Sequence, residues 1–450
     1  MPGSTRSSAR SISWLTATCL VVANMVGTGV FTSLGFQVGD LPSVFTLMVL
    51  WLLGGVCALC GALSYAELAA AMPRSGGEYH YLSEIYHPAV GFLAGWISAS
   101  VGFAAPVALA AMAFSTYFSS IFPNVAPLPV SLAVVALVTT IHLRGGTIGS
   151  IFQNAATSLK VLLILALITF GFTSTHQEPV SFLPQPGDAK LMTSTPFAIS
   201  LVFVMYAYSG WNASTYIVGE MRDPARDIPR SLGLGTLLVI TLYLALNAVF
   251  LLAAPMPELA AAKDNVAHVA AAHIFGATGG RFMAGLICAG LISTISAMMW
   301  VGPRVTMVMG EDCSALSWLA FKRNQIPVVA IGAQALVVIV LLCTATFASV
   351  LTYVQFSLTF CSFLTVLGVF VLRFTQPALP RPYKTWGYPV TPLIFLGVSA
   401  WMLWQILVSR PAESLWGLVT ALLGLALYFF SPTRPAAGAR LENGPANPRL

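Results

Sequence analysis

Residues 13–36 read SWLTATCLVVANMVGTGVFTSLGF, twenty-four positions without one Asp, Glu, Lys or Arg. A helix needs about 20 apolar residues to cross the hydrocarbon core of a bilayer, so this stretch is long enough to span it. Near its middle stands Val26-Gly27-Thr28-Gly29-Val30, which puts two glycines beside a hydroxyl residue at membrane depth. Glycine holds a helix poorly, and a turn that unwinds here frees N–H groups at the start of one half-helix and C=O groups at the end of the other. Taken by itself, the stretch also fits close packing of helices through small residues.

The rest of the chain repeats the apolar signal. Of 450 residues only 8% are charged and 57% are hydrophobic, and mean hydropathy is +0.83. An ordinary soluble domain carries about 25% charged residues, so a cytosolic enzyme, a nucleic-acid binder and a disordered scaffold are excluded. The net charge of +6 is spread thinly rather than gathered into a basic patch. Twelve apolar runs qualify as crossings: 13–36, 43–71, 89–118, 128–143, 151–173, 196–217, 231–254, 281–303, 327–346, 349–372, 390–408 and 414–430. Continuous runs of this length are helices, because barrel strands would alternate with period two. Arg6 and Arg10 precede the first span as in a signal peptide, but its length and the lack of a small-residue cleavage pattern argue against removal.

Orientation follows from the Lys and Arg of short loops. With the N-terminus in the cytoplasm, sixteen basic residues fall inside and four (Lys190, Lys263, Arg281 and Arg410) outside, with Lys160 in neither group. Both termini are therefore expected in the cytoplasm, in a multi-pass plasma-membrane protein (the inner membrane if the source is prokaryotic). The expected organisation is a cytoplasmic N-terminus (1–12), spans 1–5 (13–173), an extracytoplasmic loop (174–195), spans 6–10 (196–372), spans 11–12 with their preceding loop (373–430) and a disordered cytoplasmic tail (431–450). Cys57 and Cys60 have CxxC spacing but lie on an apolar helix with no second pair or nearby His, so they read as packing thiols.

A second break stands in the sixth span, at Tyr206-Ala207-Tyr208-Ser209-Gly210-Trp211-Asn212. Corresponding interruptions five helices apart are what an inverted repeat of five plus five produces, with a binding site near the bilayer midplane. The exposed N–H groups suit a carboxylate and the exposed C=O groups an ammonium, so backbone alone can hold a zwitterion without a charged side chain in the membrane. Lys160 is the exception, a cation about ten residues, or roughly 15 Å, from either end of span 5. An intramembrane ionisable residue is functional by default. With no acid at comparable depth, the carbonyls of the broken first helix are its expected partners. It either braces that helix as a fixed charge where a sodium ion would otherwise sit, or carries a proton.

Four places resemble the amino acid–polyamine–organocation superfamily of permeases, and most closely its L-type amino acid transporter branch. Gly27-Thr28-Gly29-Val30-Phe31 is similar to the G-S/T-G-I-F break. Ser64-Tyr65-Ala66-Glu67-Leu68 through Pro73-Arg74-Ser75-Gly76-Gly77-Glu78-Tyr79 is similar to Y-x-E-L…P-R-x-G-G-x-Y. Tyr208-Ser209-Gly210-Trp211-Asn212 is similar to the sixth-helix pattern, and Gly219-Glu220-Met221 with Asp223 to Arg230 to the cytoplasmic E-x…P-x-x-x-I-P-R loop. The resemblance implies an all-α membrane protein of twelve helices with a 5+5 inverted repeat of the leucine-transporter type, helices 1 and 6 broken and two helices peripheral. It also implies roles. Thr28 and Gly29 would bind the substrate carboxylate beside Gly27; Met25, Val26, Tyr206, Ala207, Ser209 and Gly210 would complete the site, the amino group lying on backbone of both spans. Tyr206 would lid the substrate, and Lys160 would stand in for sodium. Ser209 replaces the glycine usual in that branch, which argues against large aromatic substrates. Trp211, Glu67, Arg74 and Glu78 are candidate gating residues, and the charges from Arg222 to Arg230 an ion-pair network.

The expected function is sodium-independent exchange of small neutral L-amino acids by alternating access, because no Asp or Glu is apparent near the site to meet a cationic side chain. Proton symport, or transport of cationic amino acids or polyamines, is the alternative. A channel would need polar rings or filter loops that are absent, and an enzyme a catalytic constellation that no motif supplies. No cofactor and no metal are expected. The partners are the amino acid and the bilayer, with no nucleic acid. Some relatives pair with a single-span subunit through a disulfide; no cysteine lies clearly in an outside loop here, so no such subunit is expected.

Overall fold

A computed structural model of the chain describes residues 12–144, 146–175, 177–344, 347–409 and 411–430. The segment before Ile12, with Arg6 and Arg10, and the tail from Ser431 lie outside the described residues. Within them the chain is helical, with two isolated β-bridges, one joining Ile12 to Met221.

The first interruption is real. Helix α1 (Trp14–Met25) starts at Ser13, whose hydroxyl accepts from Thr16 N at 3.3 Å. It stops at Val26 and Gly27, and α2 (Thr28–Val38) carries on. Span 2 is α3 (Val44–Ala71), capped by Ser43; a loop and the short α4 (Glu78–Ile85) lead into span 3. Span 3 is divided into α5 (Pro88–Ile97) and α6 (Ala104–Ile121) by a π-helical turn at Ser98–Gly102. Spans 4 and 5 are α7 (Pro127–Arg144) and α8 (Gly146–Thr173), and the loop that follows carries α9 (Asp188–Met192).

Span 6 begins as α10 (Thr195–Ala207), unwinds at Tyr208 to Asn212, and continues as a 3-10 stretch Ala213–Glu220. Span 7 is α11 (Pro224–Ala253), followed by α12 (Met256–Ala262). The expected eighth span, 281–303, is the middle of a longer helix, α13 (Val266–Asp312). Gly276 at φ +76° sets residues 266–275 off as a separate arm before the crossing, a conformation available to glycine without strain. The last four runs form α14 (Val328–Thr344), α15 (Phe347–Thr375), α16 (Val390–Ser409) and α17 (Pro411–Phe430).

Among the described residues, eight helical stretches are long and apolar enough to cross a membrane, and shorter apolar helices occupy the expected spans 5, 6, 9 and 12. Burial sorts them. In the first span 89% of the most apolar stretch is buried, against 28% in α7. The broken helices therefore sit in the middle, packed by α3, α6, α11 and α13. Outside, Leu137, Leu162, Phe170, Leu237, Leu336, Trp404, Leu418 and Phe429 are exposed. A surface with this much exposed apolar side chain is covered by lipid, not water.

Candidate substrate site at two broken helices

The two interruptions meet. A methyl group on Gly29 would fall 2.5 Å from the Cα of Ala207, so only glycine lets α2 approach the end of α10 this closely. Gly210 at φ +94° turns the chain against Asn24 at the end of α1. Tyr243 on α11 ties both ends together: its hydroxyl lies 2.6 Å from the carbonyl oxygen of Met25 and 2.9 Å from that of Ala207. Between the breaks is a small cavity of about 20 Å³ lined by Asn24, Thr28, Gly29, Tyr206, Ser209 and Thr294, among others. Thr28 Oγ1 and the Tyr206 hydroxyl are 3.2 Å apart across it.

Lys160 reaches the carbonyls expected of it. It is 2% exposed; its ammonium donates to Ala23 O at 3.2 Å, to Val26 O, and to Thr294 Oγ1 at 2.8 Å. Thr294 in turn donates to Val26 O at 2.9 Å. These are the free carbonyls left where α1 stops, and the ammonium supplies them with donors. Tyr243 and Thr294 went unnoticed in the sequence because a Tyr or Thr on an apolar helix is ordinary there. Only their contact with the unwound carbonyls marks them.

On the side of the breaks expected to face outward, α2 is stitched to α10 as Gln37 donates to Ser200 O and Ser33 to Phe203 O, and α3 joins them as Trp51 Nε1 donates to Gln37 Oε1. Toward the other side, the one expected to face the cytoplasm, the space widens to a cavity of about 70 Å³ that shares Asn24, Pro106, Ser209 and Met298 with the small one. Trp211 lines it, stacked edge-on against Tyr65 with ring centres 4.7 Å apart. Glu78 lines it too, which corrects the expectation that no acid stands near the site. Its Oε1 accepts from Tyr65, Ser362 and Asn212. The sequence marks it as a gating candidate, but its place in the cavity wall comes only from the turn into α4, which carries it inward.

The gating candidates separate. Arg74 donates to Asp312 at 2.7 Å and Tyr79 to the same carboxylate at 2.9 Å, joining the loop after α3 to the end of α13. His80 beside them is pushed down to about 4 by burial and by the Arg74 charge, so it is neutral at physiological pH. Glu67 is not part of this contact. Its carboxylate is 1% exposed and holds Arg373 at the end of α15, Arg381, and the Thr385 backbone. In the Arg222–Arg230 region, Asp227 accepts from the Asp223 N–H at the start of α11, and Glu220 pairs with Arg304 at 2.6 Å. Cys57 and Cys60 are buried and unpaired, whereas Cys343 is exposed near the end of α14. That end is the one expected outside, so the cysteine argument against a disulfide-linked subunit does not hold.

The family model described as amino acid permease matches residues 12–430. The b(0,+)-type amino acid transporter 1 of Mus musculus is 28% identical over 94% of this chain and 88% of its own length. The Asc-type amino acid transporter 1 of Mus musculus is 28% identical over 93% and 81%. The serine/threonine exchanger SteT of Bacillus subtilis (strain 168) is 24% identical over 95% and 98%.

Proposed function

Since the chain belongs to the amino acid permease family, we propose that it exchanges small neutral L-amino acids across a membrane without sodium, by alternating access. The relatives support amino acid transport and exchange: two are amino acid transporters by name and one a serine/threonine exchanger. The finer claims rest on the site. Its α-carboxylate would lie on the N–H groups opening α2 at Thr28 and Gly29, and its α-ammonium on carbonyls of both breaks. Met25 O accepts from Tyr243 with a second lone pair remaining, whereas Val26 O already accepts from both Lys160 and Thr294.

The observation that carries sodium independence is Lys160. Its ammonium occupies the free carbonyls of the broken first helix, the place where a cation is needed. A side-chain cation cannot leave with the substrate, so the cycle needs no sodium and returns by carrying another amino acid. The cavity of about 20 Å³ and the hydroxyl of Ser209 in its wall favour small side chains. In this reading twelve spans cross the membrane, 1–5 and 6–10 inverted and 11–12 peripheral, with both termini in the cytoplasm. The test is uptake of labelled amino acids into proteoliposomes in sodium-free buffer: uptake of small neutral amino acids that needs internal amino acid supports exchange, and uptake into empty vesicles driven by a proton gradient replaces it with symport.

A further inference from the structure

The larger cavity holds polar groups that the transport site does not use. Glu78 is 1% exposed, yet its Oε2 has no partner, while Oε1 takes all three donors that reach the carboxylate. Asn24, 2% exposed, gives its amide N–H to Leu20 O and leaves Oδ1 unpaired. Both residues line the same cavity, and so do Gln355, with an unpaired Oε1, and Ser399, with an unpaired hydroxyl. No Lys or Arg lines it. Buried polar atoms are nearly always satisfied, and a buried carboxylate oxygen calls for a donor. A pocket whose unpaired atoms are mainly acceptors, one of them on a carboxylate, is built for a cationic donor.

We propose that Glu78 and Asn24 form a binding station for a primary ammonium on the cytoplasmic side of the breaks, which an amino acid entering from the cytoplasm engages through its α-ammonium before it reaches the unwound backbone. The inference rests on the transporter reading above. The cavity adjoins the breaks through the shared wall of Asn24 and Ser209, so the ammonium is handed upward from Glu78 toward the carbonyls without returning to water. Burial holds the Glu78 carboxyl above the usual carboxylate range while the station is empty, and an arriving cation favours its ionised form. The titratable groups around it, Tyr65, Tyr81, Tyr216 and Cys361, carry no positive charge that would compete.

The test compares the two faces of the membrane. Labelled alanine uptake is measured in everted vesicles, which present the cytoplasmic face, and in right-side-out vesicles. Glu78→Gln keeps an acceptor for Tyr65 and Ser362 and removes the charge; it is expected to raise KM about tenfold in everted vesicles and leave it unchanged in the others. In the wild type the cytoplasmic-face KM rises as the pH is lowered, because protonation removes the charge that binds; in Glu78→Gln it is flat. Equal rises on both faces would make Glu78 a structural brace, and unchanged KM on both would make the cavity a place for water; either overturns the station. Lysine transport by the wild type that Glu78→Gln abolishes, with alanine KM unaltered on both faces, also overturns it and makes Glu78 a side-chain subsite. Absence of uptake by the wild type from either face overturns the transporter reading instead.

Discussion

At the scale of the residue, the account turns on what fills the free carbonyls of the first break. Lys160→Ala leaves Ala23 O without its donor and Val26 O with Thr294 alone. Loss of charged hydrogen bonds of this kind is worth about 1.5–3 kcal/mol each, so transport should fall roughly tenfold to a hundredfold while the protein still inserts. Uptake near the wild-type rate by a correctly inserted variant would discard the role. Tyr243→Phe separates positioning from chemistry: it removes the hydroxyl shared by Met25 O and Ala207 O, at a cost of about 1 kcal/mol. A lowered melting temperature with reduced turnover is expected, and unchanged values of both would mean the two breaks need no tie. Lys160 was legible in the sequence because a charge about ten residues from either end of an apolar run is too deep to reach an interface easily. Tyr243 and Thr294 were not, since apolar helices carry such residues wherever a hydroxyl can bond back to its own helix.

At the scale of the element, the breaks were readable because glycine and small hydroxyl residues recur five spans apart, and two of those glycines, Gly29 and Gly210, stand where the breaks approach each other. Gly29→Ala would place a methyl 2.5 Å from Ala207 Cα, backbone that cannot move aside. Exchange should be lost although the protein inserts, and a functional alanine variant would show that α2 and α10 do not pack this closely. Thr28→Val should raise KM for every substrate alike, since the α-carboxylate is common to all; an effect on some substrates only would move Thr28 beside the side chain. The π turn at Ser98–Gly102 and the kink at Gly276 were not readable, because neither stretch carries a pattern that sets it apart from the other small residues of its run. The Arg74–Asp312 contact is partly exposed, 40% and 23%, and such pairs add about 1 kcal/mol or less to stability. Arg74→Asp should therefore alter exchange rate more than melting temperature, and Asp312→Arg in the same chain should restore it. A variant that instead unfolds would mark the contact as structural.

At the scale of the molecule, apolar side chains cover the outside and hydrogen-bonded groups gather at the centre, the arrangement a bilayer imposes. The positions of the apolar runs were legible almost throughout, because length and hydropathy alone decide them. The inward turn of α4 that delivers Glu78 was not, because no local pattern distinguishes a buried glutamate from a surface one. Span 2 is held to the end of span 10 by Glu67 with Arg373 and Arg381. Removing one member of such a buried group costs about 3–5 kcal/mol, so Glu67→Gln should lower the melting temperature in detergent by several degrees, and an unchanged value would show that the two spans are held otherwise. The central claim, that a fixed lysine replaces sodium in an amino acid exchanger, is tested most directly by alanine and serine uptake into sodium-free proteoliposomes, with and without internal amino acid. The account predicts uptake only into preloaded vesicles, unchanged when sodium is added. Uptake that requires sodium, or that fills empty vesicles under a proton gradient alone, would contradict it.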